Sequence, residues 1–113
     1  MSVSDRLQQD MKQAAKARDA LRLSTIRMLR SSVSYARIDK GDELTDDEVL
    51  QVLSREAKMR REAIEAAQKG GRQDIIDKEQ AELAIIESYL PEQLGEAEIE
   101  AIAREIAAGV GAE

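Results

Sequence analysis

Cysteine, histidine, phenylalanine and tryptophan are all absent from this 113-residue chain, and each absence closes a class of explanation. Without cysteine there are no disulfides and no thiol nucleophiles, a usage that suits a reducing compartment. Without histidine as well, the usual zinc and di-iron ligand sets and any Ser-His-Asp triad are out of reach. The missing Phe and Trp leave Leu, Ile, Val, Ala and Met to build the core, a palette that suits helix packing and is short of sheet formers. One proline and six glycines are too few for a turn-rich fold. No unbroken apolar run approaches the length of a membrane span, and the N-terminus is polar from Ser4 onward. A soluble cytoplasmic protein is expected, of one domain or of one domain and a fragment.

Charge of both signs is plentiful but segregated. The net charge is −6, yet residues 1–41 carry nine Lys/Arg against four Asp/Glu and residues 42–113 carry eight against nineteen. The first third is therefore at +5 and the remainder at −11. Such a chain offers a polyanion one attractive end and repels it from the other.

The longest helical pattern lies between residues 46 and 89, split at Gly70-Gly71. Its first half, DDEVLQVLSREAKMRREAIEAAQK, opens behind Thr45 with a T-x-x-E capping box closing on Glu48, and Gly70 ends it. The second half runs from Gln73 to Tyr89, and Pro91 forbids its continuation. A connection this short folds the two helices back on each other as an αα-hairpin. At about 100° per residue, Val49, Leu50, Leu53, Ala57 and Ile64 share one face of the first helix, with Arg60 in its middle. Ile75, Ile76, Leu83, Ile86 and Leu90 share a face of the second, with Glu79 in its middle. A buried charge is costly unless paired, so Arg60 is expected to meet Glu79, or Glu82 one turn on, inside the hairpin. The alternative is that both snorkel out of the seam.

Before the hairpin, Ser2 or Ser4 caps a helix to about Lys16, with Val3, Leu7, Met11 and Ala14 or Ala15 as its apolar stripe. Asp19 caps a second helix to Ile38, and Gly41 lies just past its end. Leu21, Ile26, Met28, Leu29, Val33, Tyr35 and Ala36 are assigned to its buried half. Arg27, Arg30 and Arg37 form an arc of about 80° beside that half. After LPEQLGEAE, the one clear break, a last helix is expected from Glu96 to Ala108 with the stripe Ile99, Ile102, Ala103 and Ile106. It either docks on the four-helix body or opens a second small domain.

No catalytic constellation is visible. The acidic runs at Asp46, Asp47, Glu48 and at Glu96, Glu98, Glu100 sit in helix first turns, where they complement the macrodipole rather than build a hard-metal site. Gly70-Gly71-Arg72 lacks the strand and the spacing of a phosphate loop and reads as a helix stop. Ser31, Ser32 and Ser34 have no base to activate them. No metal and no cofactor is expected. What remains are basic residues: Arg27, Arg30 and Arg37 on the second helix, and Arg55, Lys58 and Arg61 on the outer side of the third. Solvated helix surface is one reading of them. Contact with nucleic acid is the other, with Tyr35 and Tyr89 as the sole aromatic platforms.

Three stretches resemble the YqeY-like family, relatives of the tail domain of the GatB subunit of glutamine-dependent tRNA amidotransferases. They are RLSTIRMLRSSV (22–33), ELTDDEVLQVLSREAKMRREAIE (43–65) and GRQDIIDKEQAELAIIESYLPEQL (71–94). The last, with KEQAEL upstream of YLPEQL, is the most specific. The resemblance implies an all-α fold: a four-helix N-terminal domain (1–92) with a central αα-hairpin, then a small C-terminal helical domain represented at 93–113 by its first helix. Family members typically continue past GVGA into a Gly- and Lys-containing segment and two more helices. The GatB tail helps hold the misacylated tRNA while other domains and subunits make ammonia and form the amide, so no catalytic residue is carried over. The expected function is a non-catalytic tRNA-binding accessory module, its contacts drawn from Arg27, Arg30, Arg37, Lys58 and Arg61. The alternative is an adaptor that docks on a protein partner through its helical faces, the last helix among them.

Overall fold

The computed structural model describes residues 1–91, of which 81% are helical. The expected last helix and the 93–113 segment lie outside the described residues. Four helices follow one another, α1 (Val3–Lys16), α2 (Ala20–Lys40), α3 (Asp46–Lys69) and α4 (Gln73–Glu87), and no strand occurs among the described residues. They form two hairpins, α1–α2 and α3–α4, the second more extensively paired, and α2 packs on both helices of the second hairpin.

Local chemistry sets each boundary. Ser2 caps α1 in a reciprocal box: the Asp5 N–H donates to Ser2 Oγ at 3.1 Å, and the Ser2 N–H donates to Asp5 Oδ2 at 3.3 Å. Asp19 caps α2 through the Arg22 N–H at 3.1 Å. The Thr45–Glu48 box starts α3, at 3.2 Å and 2.9 Å. Each box satisfies two backbone donors that the helix itself leaves free. Helix α3 ends at Lys69 with Gly70 as its C-cap, still in the right-handed region, and Gly71 takes the left-handed turn at φ 67°. The Arg72 N–H donates back to Ala67 O and the Gly71 N–H to Gln68 O, the bond pair that reverses the chain after a helix. The same two bonds close α1, Asp19 N–H to Ala14 O and Arg18 N–H to Ala15 O, but there the left-handed residue is Arg18, at φ 57°.

The core joins all four helices. Leu7 of α1, Ile26 and Leu29 of α2, Leu53 and Ala57 of α3, Ile86 of α4 and Tyr89 just beyond it form one buried cluster. A smaller one, Ile64, Ala67 and Ile76, closes the far end of the α3–α4 hairpin. Val49 is buried with the stripe read from the sequence, whereas Leu50 is half-buried; Val52 and Ala67 are buried outside that stripe.

Tyr35 departs from its expected place: it is 75% exposed, as Ile38 is at 72%. Two physical reasons account for this. Nine residues at 100° each put Tyr35 half a turn round from the wholly buried Ile26. Helix α2 is also 21 residues long against 14 for α1, so its last two turns, about 10 Å, have no antiparallel partner left in α1 to cover them.

Candidate nucleic-acid interface

The exposed face of α2 is a stripe at helical spacing. Arg27, Arg30, Ser31, Ser34, Tyr35 and Ile38 follow one another at intervals of three, one, three, one and three, which keeps them on adjoining turns of one side. With Met11 of α1 they line an open groove of about 680 Å³. Arg27 and Arg30 have no ion-pair partner among the described residues; Arg30 Nη1 donates only to Met11 Sδ, at 3.2 Å. A guanidinium without a carboxylate partner keeps its field available to an incoming anion.

Arg37 differs from its two neighbours. Its Nη1 lies 3.6 Å from Glu43 Oε1, and it opens onto a smaller hollow of about 170 Å³ that Asp5 and Glu43 also line. Arg30 borders both hollows, so the three arginines stay contiguous, but the charge at the Arg37 end is met within the fold. On α3, Lys58 is exposed and Arg61 lies 4.0 Å from Glu87 of α4. Neither lines the α2 groove. Arg55 is the α3 residue that comes close: with Val52 and Glu56 it faces Tyr35, Ser32, Ala36 and Asp39 across a hollow between α2 and α3. Tyr35 thus stands between two concavities, with Arg27 and Arg30 on one side and Arg55 on the other. Sequence reasoning counted Arg55 among the basic candidates on the outer side of α3 but left it out of the expected contacts, and placed Tyr35 in the core. The angular offset of Tyr35 from Ile26 was the available signal.

Beneath this face, Arg60 sits in the seam of three helices with its side chain 15% exposed. Three carboxylates surround it: Glu79 Oε2 at 3.3 Å and Glu82 Oε2 at 3.8 Å from Nε, and Glu56 Oε2 at 3.7 Å from Nη1. The closest contact is one of charge rather than alignment: Arg60 Nε and Glu79 Oε2 are buried and neither has a hydrogen-bond partner among the described residues. From α2, Ser32 Oγ donates to Glu56 Oε1 at 2.8 Å, and Met28 Sδ lies 3.6 Å from Arg60 Nη2. Glu56 was not singled out in the sequence, although its position four residues before Arg60 on one helix makes them neighbours.

A second polar junction closes the other side of the bundle. Tyr89, 3% exposed, donates its hydroxyl to Asp10 of α1, which also lies 3.8 Å from Arg22 Nη2 of α2. Arg6 stands over the Tyr89 ring, 5.0 Å from its centre. Burial, reinforced by the Asp10 carboxylate, pushes the Tyr89 phenol far above its usual range. Of the two tyrosines, this one is structural. At the α2–α3 connection, Lys40 Nζ meets Glu48 Oε1 at 2.7 Å, and that bond together with the Thr45 backbone N–H lowers the Glu48 pKa.

Among the described residues, no group of three or more His, Cys, Asp or Glu is arranged to hold a metal ion, and no helix is long and apolar enough to cross a membrane.

The chain is 36% identical over 85 residues to Altered inheritance of mitochondria protein 41, mitochondrial, of Eremothecium gossypii, covering 74% of this chain and 46% of the relative. The protein of that name in Lachancea thermotolerans is 36% identical over 98 residues, 84% of this chain and 52% of the relative. The one in Pyrenophora tritici-repentis is 28% identical over 110 residues, 96% and 61%. The chain spans about half the length of the curated relatives it matches. Residues 4–113 match the family described as Yqey-like protein, nearly the whole sequence, and the chain therefore belongs to the YqeY-like family.

Proposed function

We propose that this chain is a non-catalytic tRNA-binding accessory module connected with tRNA-dependent amidation, the carbon–nitrogen ligation that takes its amide nitrogen from glutamine. One observation carries the reading: Arg27 and Arg30, neither ion-paired among the described residues, line an open groove in the net-positive first third of the chain. Phosphate oxygens are met by such guanidinium groups, and serine hydroxyls beside them add hydrogen bonds to phosphate or sugar. The amidation context rests on the likeness of residues 71–94 to the GatB tail. The names of the matched relatives speak of mitochondrial inheritance and place those proteins in mitochondria. For this chain we propose the cytoplasm.

The adaptor reading has its own support in the exposed Tyr35 and Ile38, which a protein partner would cover. A salt titration of tRNA binding separates the two. Two or three phosphate contacts predict an affinity that falls with a log–log slope of about −2 to −3 in salt concentration. An inert globular protein in place of tRNA gives no complex. If the full chain binds no tRNA even at low salt, the adaptor reading replaces the first.

A further inference from the structure

We infer that Tyr35 is the stacking platform for an unpaired nucleotide, so that this face of α2 reads single-stranded segments of an RNA in preference to its duplex stems. The inference rests on the nucleic-acid reading above and sharpens it. Three observations converge on this one side chain.

First, Tyr35 is far more exposed than an aromatic ring on a core-forming helix should be, while the only other aromatic, Tyr89, is committed to Asp10 and Arg6. Second, the ring lies between cations. Along the helix axis Arg30 is about 7.5 Å and Arg27 about 12 Å from it, and Arg55 faces it from α3 across the second hollow. A base lying on the ring therefore places the phosphates on either side of it, along one strand, within reach of guanidinium groups. Third, Ser31 and Ser34, between the arginines and the ring in sequence, line the same groove and offer hydroxyls to phosphate or sugar oxygens.

A duplex cannot use this arrangement, because its bases are already stacked and an A-form helix presents phosphates, 2′-hydroxyls and base edges but no free base face. A splayed loop or single strand can, since every base has a π-face and stacking on an aromatic needs no particular sequence. The preference is therefore for strandedness, with little for sequence.

The test uses the full 113-residue chain, a short labelled single-stranded oligouridine, and a blunt RNA duplex of the same length, followed by fluorescence anisotropy at low salt. The parent is expected to bind the single strand more tightly than the duplex. Tyr35→Ala should weaken single-strand binding by about tenfold or more while leaving duplex binding within about twofold, and Tyr35→Phe, which keeps the ring, should retain the parent's preference. Because the chain has no tryptophan, tyrosine emission is a second readout: single-strand binding should quench it in the parent and not in Tyr35→Phe. The exposure of Tyr35 means that both variants should keep the parent's circular dichroism and thermal midpoint. Equal affinities of parent and Tyr35→Ala for the single strand overturn the inference and leave a backbone-only interface, or a ring used for protein docking. A parent that binds neither RNA overturns the nucleic-acid reading together with the inference.

Discussion

Arg60 shows how much one residue can hold when three carboxylates depend on it. Replacing it with alanine leaves Glu56, Glu79 and Glu82 facing one another in a largely buried seam, a loss expected to cost about 3–5 kcal/mol. Arg61, next in sequence, has a single long contact to Glu87 at the edge of the same hairpin, and Arg61→Ala should cost under about 0.5 kcal/mol. Urea unfolding of the two variants decides the matter. Equal, small losses would mean that the seam tolerates its carboxylates without the guanidinium. Tyr89 makes a prediction about pH. Its phenol pKa is raised in the folded protein, so the native state keeps that proton after the unfolded chain has released it. The stabilisation is complete below about pH 10 and is lost as pH climbs from there, by up to about 1.4 kcal/mol per pH unit. Denaturation midpoints at about pH 9 and about pH 11 should therefore fall more steeply for the parent than for Tyr89→Phe. Identical slopes would show that the buried hydroxyl titrates as it does in the unfolded chain.

At the scale of the element, the α3–α4 turn depends on two adjacent glycines that are not equivalent. Gly70 is right-handed, and a Cβ there would meet nothing nearer than 3.8 Å; Gly71 is left-handed at φ 67°. Gly70→Ala should accordingly be neutral or stabilise by up to about 1 kcal/mol, because it restricts only the unfolded chain. Gly71→Ala should destabilise by about 1–2 kcal/mol, the cost of holding an L-residue in that conformation. Thermal melts that ranked the two the other way would contradict the turn geometry. From the sequence the pair reads simply as a helix stop. Which glycine carries the turn is decided by how many residues α3 needs before Ala67 O and Gln68 O can receive their bonds.

Over the whole molecule, charge is segregated between the basic first third and the acidic remainder, and the net −6 disfavours approach of any nucleic acid. Only a local positive patch can act against that, within a Debye length of about 8 Å at physiological salt. If Arg27, Arg30 and Arg37 form that patch, reversing all three to glutamate abolishes tRNA binding while the helical circular dichroism persists. Because Arg37 is already engaged by Glu43, its single replacement by alanine should lower the salt slope less than that of Arg27 or Arg30, each of which should lower it by about one. A triple variant that binds as the parent does would remove the α2 face from the interaction.

The helical class, a serine cap before α1, the capping box at Thr45, the hairpin about Gly70-Gly71 and the charge asymmetry were all legible in the chain itself, because they rest on spacings within one element, on the chain breaks between elements or on composition. That Ser2 rather than Ser4 is the cap, and that Asp5 closes a box on it, came from the structure. The family likeness was legible too, through residues 71–94. What tertiary structure alone decided is which side of α2 is left uncovered. The stripe from Arg27 to Ile38 is a surface because α1, α3 and α4 cover other sides of α2 and its last two turns run past the end of α1, and Arg55 joins it because α3 lies beside Tyr35. The third carboxylate on Arg60 and the tie from Tyr89 to Asp10 likewise depend on how helices distant in sequence come to lie side by side. Periodicity within one helix specifies a face; only the lengths and placement of its neighbours determine whether that face is buried or left to bind.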